Sequence, residues 1–181
     1  MRISTDKIRP SAAWLPAVLV VAGLCLPVDQ AFSIDERRLS FYHTHTHKTL
    51  EITYAVGGEY IDSALDDVNA FLADFRTGDA IEMDRELLDL IYDVRLSLGS
   101  EASFEVISAY RSPKTNEMLR GQSSGVAKNS QHLLGKAIDV RLRGVPTAQL
   151  RDAAIELQRG GVGYYKDSDF VHMDTGRVRR W

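Results

Sequence analysis

The 181-residue chain has a single cysteine, Cys25, and that residue lies near the N-terminus. With no second cysteine the chain forms no internal disulfide, so its stability must come from a hydrophobic core. The composition, 44% apolar and 26% charged, is that of a single globular domain. Excess positive charge is also missing: the net charge is −3, which gives no electrostatic reason to bind nucleic acid.

Long apolar runs are absent except for residues 12–26. Three basic residues precede this run and the small residues Ala31 and Ser33 follow it, which is the layout of a secretory signal. We therefore predict a signal peptide over residues 1–33 and one exported domain over residues 34–181. The run contains Pro16 and is short for a membrane-spanning helix, so no integral membrane domain is expected after cleavage. An uncleaved anchor is the alternative.

Alternating or β-rich patterns predict strands over residues 39–54 (two strands joined near Lys48), 104–110, 136–142 and 170–174. Helical spacing predicts three helices, which begin at the N-caps Ser63, Asp84 and Thr147. The residues that follow Arg111 indicate a turn and then a polar loop. The expected fold class is α+β, with a small antiparallel sheet packed with helices.

Residues 42–48 read YHTHTHK and contain three of the five histidines, His43, His45 and His47. On a strand these side chains would share one face. Side chains two residues apart on a strand are nearly 7 Å apart, too far to share one zinc ion at about 2 Å each. We therefore interpret the cluster as the solvated face of an edge strand. The alternative, metal storage, would bind several metal ions per chain.

A second group of polar residues lies in apolar surroundings. Asp139 is flanked by apolar residues on a predicted core strand, where an ionised carboxylate is costly unless it is paired or bound to a metal. His132 lies seven residues upstream, and His172 lies on another apolar strand. Together they would supply three zinc ligands and leave a fourth position open, as in catalytic zinc sites. A hydrogen-bonded His–Asp pair in the core is the alternative, which spacing alone does not exclude.

The motif Ser130-x-His132-x-x-Gly135-x-Ala137-x-Asp139, followed by Phe170-Val171-His172-x-Asp174, resembles the zinc D,D-carboxypeptidase and endopeptidase group. This group includes VanX-type dipeptidases, lysostaphin-type enzymes and the hedgehog signalling domain. Within this group, the sequence resembles the MepK-type periplasmic murein endopeptidases in further motifs. That similarity extends over nearly all of residues 34–181, through His45-Thr46, residues 108–112, 125–128 and 160–165, and Trp181.

The resemblance implies a hedgehog/DD-peptidase-like fold with a zinc cleft, and a periplasmic location. It implies one Zn2+ per chain, held by His132, Asp139 and His172. The implied substrate is a peptide cross-link of peptidoglycan, between D-alanine and meso-diaminopimelate or between two meso-diaminopimelate residues.

Two acids are candidates for the general base that takes a proton from the attacking water. Asp169 lies three residues before His172, the offset at which some relatives carry the catalytic acid, but it also fits a solvated turn. Asp174 lies on the same strand face as His172, which slightly favours it. Asp174 could instead accept a hydrogen bond from a ligand histidine and orient it.

Other residues have two interpretations each. The resemblance suggests that Arg111 binds a substrate carboxylate or the developing oxyanion, although it could head a surface turn. Ser130 offers a hydroxyl to substrate or belongs to a turn. Tyr164, with Tyr165, lines the cleft or packs beside Gly163.

Two rival functions remain at this point: a D,D- or L,D-carboxypeptidase that trims free peptide tails, and an inactive peptidoglycan-binding module of the same fold. A regulatory protein partner is compatible with the sequence, which does not identify one.

Overall fold

A computed structural model of the chain describes residues 35–123 and 125–181. The predicted signal peptide, residues 1–33, lies outside the described residues. Within the described part, eight strands form one sheet in the order β3-β2-β1-β4-β5-β7-β6-β8. These strands are Glu36–His43 (β1), Thr49–Val56 (β2), Glu59–Tyr60 (β3), Phe104–Ser108 (β4), Ala137–Leu142 (β5), Gly161–Tyr165 (β6), Phe170–Asp174 (β7) and Arg179–Arg180 (β8).

The sheet is mixed, which corrects the prediction of a small antiparallel sheet. β1 pairs with β4 and β6 pairs with β8 in parallel, whereas the other neighbours are antiparallel. A parallel pair needs a long crossover connection, and the segment between β2 and β4 supplies it with two helices. The α+β class itself is confirmed.

Four helices lie in the described residues: Asp62–Phe71 (α1), Arg85–Ser97 (α2), Pro113–Gln122 (α3) and Thr147–Glu156 (α4). The predicted cap of α2 is confirmed, because the Asp84 carboxylate accepts a hydrogen bond from the Glu86 amide. The other two predicted caps are wrong. The N-caps are Ile61 and Pro146, and neither makes a side-chain capping bond.

Sequence reasoning missed α3. Its N-cap is Ser112, whose hydroxyl accepts a hydrogen bond from the Thr115 amide, and Pro113 occupies the first turn. Both features are known helix-start signals. The helix is hard to recognise because it buries only Thr115 and Asn116 and so has no apolar stripe.

The core forms where the apolar sides of the strands and helices meet. Alternate residues of β1, including Leu39 and Phe41, are buried. Central strand β5 differs, since Ala137–Val140 are all buried, and Asp139 is one of them. β5 therefore carries a carboxylate into the interior between β4 and β7. In the part of the chain that the structure describes, no helix has the length and apolarity needed to cross a bilayer.

The histidines of YHTHTHK do not share a strand face. β1 ends at His43, and the next residues form a turn in which His47 has a φ of 56°. His43 is buried, and its Nδ1 accepts hydrogen bonds from the amides of His45 and Thr46. The His45 ring stacks on Phe75 with a centroid separation of 4.1 Å. The edge-strand explanation is therefore wrong, because these side chains build and anchor a turn.

Because His43 is buried, we predict that the free energy of unfolding depends on pH. Burial, and then the positive charges of His45 and Lys48, lower the pKa of His43 to about 4. In the unfolded chain the imidazole binds a proton near pH 6.5. The contribution of His43 to the free energy of unfolding is therefore fully present above that pH and is lost as the pH falls towards 4. The loss from this group should be about 2–3 kcal/mol.

His43→Asn keeps an acceptor for the turn amides but cannot be protonated. We expect its free energy of unfolding to be lower than that of the native protein at pH 7.5 and to change less between pH 7.5 and 4.5. Urea unfolding at pH 7.5, 5.5 and 4.5 measures it. Equal slopes in the two proteins would contradict the assignment.

Candidate active site

Three buried ligand groups converge beneath an open cavity: His132, Asp139 and His172. His132 Nε2 is 3.2 Å from His172 Nδ1 and 3.3 Å from Asp139 Oδ1. His172 Nδ1 is 2.9 Å from the same Asp139 oxygen. This is the one group of three His, Cys, Asp or Glu side chains with metal-site geometry among the described residues.

A local hydrogen bond fixes the tautomer of His132. Its Nδ1 lies 2.6 Å from the Ala109 carbonyl oxygen, which can only accept, so Nδ1 carries the proton and Nε2 faces Asp139. A short 3-10 turn, Gln131–Leu134, presents this ring. Ser130 caps the turn, and Gly135 ends it with a φ of 68°. A Cβ at Gly135 would lie 2.7 Å from the Glu82 carbonyl oxygen, so the turn needs glycine there.

The other histidine is oriented by a buried carboxylate. His172 Nε2 donates to Asp174 Oδ2 at 2.8 Å, and this leaves Nδ1 facing Asp139. Asp174 is fully buried, and Arg179 donates to both of its oxygens, at 3.0 and 2.7 Å. The amides of Gly161 and Gly176 donate to Oδ1. Five donors therefore occupy the two oxygens of Asp174.

These bonds leave three lone-pair atoms facing one another at about the spacing a metal needs. Both imidazole protons are used elsewhere, so His132 Nε2, His172 Nδ1 and Asp139 Oδ1 repel one another unless a cation or a proton lies between them. Donors about 2.0–2.2 Å from a tetrahedral metal ion lie about 3.3 Å apart, which matches the observed separations of 2.9–3.3 Å. The residues therefore fit a metal ion.

Burial and the neighbouring groups shift the pKa values of all three side chains in the cluster. Burial opposes ionisation of Asp139, but His132 and His172 hold the pKa of its carboxyl well below the usual range. Burial lowers the pKa of His132. Burial acts in the same direction on His172, yet Asp139 and then Asp174 raise its pKa. The cluster thus keeps an anion in the protein interior, where a cation is strongly favoured.

The cavity above the cluster has a volume of about 410 Å3. Arg111 lines it, and its guanidinium donates to Asp139 Oδ2 at 2.7 Å and to Ser108 Oγ at 3.1 Å. Further lining comes from the segment between α3 and the 3-10 turn, through residues 125–127, 129 and 130, and from Gln131 at the start of that turn.

Aromatic side chains contribute to another part of the lining: Tyr165, Phe170 and Trp181. The first two rings stack at 4.5 Å, and the Trp181 indole donates to the Tyr165 hydroxyl at 3.1 Å. The Trp181 ring lies 5.3 Å from that of His172. A Cβ at Gly163 would come within 2.6 Å of the indole, so this glycine allows the close approach.

The structure places the remaining predicted residues as follows. Ser130 lines the cavity, and its hydroxyl accepts a hydrogen bond from the His132 amide. Tyr165, not Tyr164, reaches the cavity, because Tyr164 lies under the guanidinium of Arg151. Asp169 lies in the turn before β7, where its carboxylate accepts a hydrogen bond from Thr147.

Sequence reasoning missed Arg179, which lines the cavity and binds Asp174. The residue belongs to a two-residue strand whose position depends on parallel pairing with β6. No local pattern marks such a strand, so the long-range pairing was not accessible from the sequence.

A buried group of two histidines and one aspartate beneath an open cavity is typical of metal-dependent hydrolases, and the comparisons with known proteins show that this one is a peptidase. The family model described as peptidoglycan L,D-endopeptidase MepK matches residues 31–181. The chain therefore belongs to this M15 peptidase family, whose members depend on a metal.

Curated relatives agree with the family match. A probable peptidoglycan L,D-endopeptidase MepK of Haemophilus influenzae is 42% identical over 146 residues, covering 80% of this chain and 78% of the relative. The peptidoglycan L,D-endopeptidase MepK of Escherichia coli K12 is 39% identical over 145 residues, covering 80% of each chain. A Shigella flexneri protein of the same name gives the same values. No solved structure matches the chain significantly.

The geometry predicts one divalent metal ion per chain at the cluster. We expect His172→Ala to lose this ion, because it removes one of three ligands. The control is His47→Ala, which removes an exposed imidazole from the YHTHTHK turn but leaves His43 and His45 in contact with Phe75. Elemental analysis of the purified proteins measures the metal content. Loss of metal in the control, with retention in His172→Ala, would contradict the assignment.

Proposed function

We propose that the protein is a zinc-dependent murein endopeptidase that hydrolyses L,D peptide cross-links of peptidoglycan in the periplasm. The observation that carries the proposal is the buried His132–Asp139–His172 group, which lies at the base of a cavity in a chain of the MepK family. The predicted signal peptide supports the location, and the printed names of the relatives support the substrate.

One Zn2+, held by His132, Asp139 and His172, would polarise the scissile carbonyl and lower the pKa of a water molecule. The protein contributes a fixed set of donors for this ion. The Ala109 carbonyl accepts the single N–H of His132 and Asp174 accepts that of His172, which sets the tautomer and orientation of both rings.

Arg111 supplies positive charge at the cavity surface. Its guanidinium binds Asp139 and Ser108, and the residue lines the cavity. We assign it to the substrate oxygen on which negative charge develops, or to a substrate carboxylate, since a planar guanidinium suits both anions.

Asp174 acts as the acceptor that orients His172. Its two oxygens already receive five hydrogen bonds and it is fully buried, which makes it a poor acceptor for a proton from water. Asp169 holds the turn before β7 through Thr147, so we assign it no role in the chemistry. Tyr165 and Trp181 offer aromatic faces to the substrate, and Ser130 supports His132.

Purified protein incubated with cross-linked muropeptides tests the function. We expect L,D-linked dimers to be split into monomers, activity to be lost with a chelator, and activity to return with one equivalent of Zn2+. Chromatography with mass spectrometry separates the products. Release of single terminal residues only would instead indicate a carboxypeptidase, and binding without any product would indicate an inactive binding module.

The two acids near His172 should respond differently to neutral substitution. Asp174→Asn should weaken zinc affinity about 10–100-fold, the usual effect of losing a partner of a ligand histidine, and should lower kcat. Asp169→Asn is the matched control, and both its zinc affinity and its kcat should stay within about twofold. Titration with a competing chelator and muropeptide kinetics measure these values. A large loss of kcat at normal zinc affinity in Asp169→Asn would identify Asp169 as the general base.

A further inference from the structure

Residues 109–112, which follow β4, contact the candidate site through several atoms. The Ala109 carbonyl accepts the Nδ1 proton of His132 at 2.6 Å. The Arg111 amide donates to the His132 carbonyl at 3.2 Å, while the Arg111 side chain binds Asp139. A displacement of this segment would therefore move a zinc ligand and the cavity arginine together.

The same segment is bound from another side by the loop that follows α1. The amide and the hydroxyl of Ser112 both donate to Asp74 Oδ2, each at 2.8 Å. The Tyr110 amide donates to the Leu72 carbonyl at 3.2 Å. Residues 109–112 are thus held between this loop and His132.

Asp74 is a buried carboxylate outside the zinc group, with 1% of its surface exposed. Its Oδ1 accepts a hydrogen bond from the Arg76 amide at 3.0 Å. Burial alone would raise the pKa of Asp74, but hydrogen bonds from Thr115, Ser112 and Arg76 lower it to about 2. The group is therefore an anion whose two oxygens both accept hydrogen bonds.

The YHTHTHK turn supports the loop that carries Asp74. Phe75 stacks on His45 at 4.1 Å, and the Arg76 guanidinium lies 4.1 Å from the Phe75 ring centroid. The His43 ring also contacts Phe75, at 5.5 Å between centroids. The two histidines thus fix the residue next to Asp74.

We infer that Asp74 is a positioning residue of the active site: through Ser112 it fixes the segment that places Arg111 in the cavity and the Ala109 carbonyl behind His132. The inference rests on the proposed function for its kinetic and zinc-binding consequences, whereas its consequence for amide exchange in the metal-free protein does not. Asp74 touches neither zinc nor substrate in this assignment. It acts through hydrogen bonds to a backbone segment whose displacement by about 1 Å can cost about 100-fold in rate.

Asp74→Asn tests the inference, because asparagine keeps the shape but supplies one acceptor oxygen where two are needed. Its amide nitrogen would face a donor, either Ser112 or Arg76. Asp89→Asn is the matched control. Asp89 is another carboxylate with three donors, since Tyr54, Tyr60 and Arg37 all bind it. Within residues 35–123 and 125–181, the side-chain hydrogen bonds, ion pairs and ring contacts of these three partners do not reach the candidate site.

We expect Asp74→Asn to lower kcat at least 10-fold with little change in KM, and to weaken zinc affinity about 10-fold because the acceptor behind His132 shifts. Ser112→Ala should behave similarly, whereas Ser112→Thr, which keeps the hydroxyl, should retain both values. Asp89→Asn should reduce thermal stability while kcat and zinc affinity stay within twofold of the native protein.

Amide hydrogen exchange of the metal-free protein supplies a readout that is independent of zinc and of activity. The amides of Arg111 and Ser112 should be protected in the native protein and exchange at least 10-fold faster in Asp74→Asn. If the native protein cleaves no cross-link, the proposed function fails, while zinc affinity and exchange still decide the inference. Unchanged zinc affinity and exchange in Asp74→Asn, with a loss of thermal stability like that of Asp89→Asn, would overturn it.

Discussion

The structure depends on one constraint: an ionised carboxylate, Asp139, sits on the central strand of the sheet and is 4% exposed. An isolated anion in that position would cost several kcal/mol. Its neighbours offset the cost, since His132, His172 and the guanidinium of Arg111 all lie within 3.3 Å of its oxygens. The elements that carry these side chains are arranged around strand β5 so that their charges meet there.

Both histidines are in turn held in place by groups that lie outside the cluster. His172 is held by Asp174, and Asp174 by Arg179. His132 is held by the Ala109 carbonyl, next to the segment bound by Asp74. Such supports restrict the ligand donors to one geometry before any ion arrives, which lowers the entropic cost of binding it. The polar network is extensive because the site is buried, so that its polar groups must form their hydrogen bonds within the protein rather than with water.

Much of the fold followed from sequence patterns. Residues with a strong local signal were predicted well, such as the Asp84 cap of α2 and the apolar strand around Val171. The convergence of His132, Asp139 and His172 was implied by a family resemblance; their spacing alone left a simple core His–Asp pair open. Strand β8 and the parallel pairing of β1 with β4 were missed because each depends on contacts between distant segments. Helix α3 was missed for a local reason, since it buries only two polar residues and has no apolar stripe.

The two histidine patterns show why proximity in sequence misleads. Alternation in YHTHTHK brings three imidazoles within five residues, yet the chain turns after His43, so that His43 accepts hydrogen bonds from the turn amides and His45 stacks on Phe75. The donors of the candidate site span 41 residues, from 132 to 172, and strand register brings them together, since Asp139 pairs with His172 across β5 and β7. A slip of one residue would turn either side chain to the opposite face. The apolar residues that alternate with them, Ile138, Val140, Val171 and Met173, oppose that slip, because it would remove them from the core. The hydrophobic pattern of the two strands therefore aligns the site.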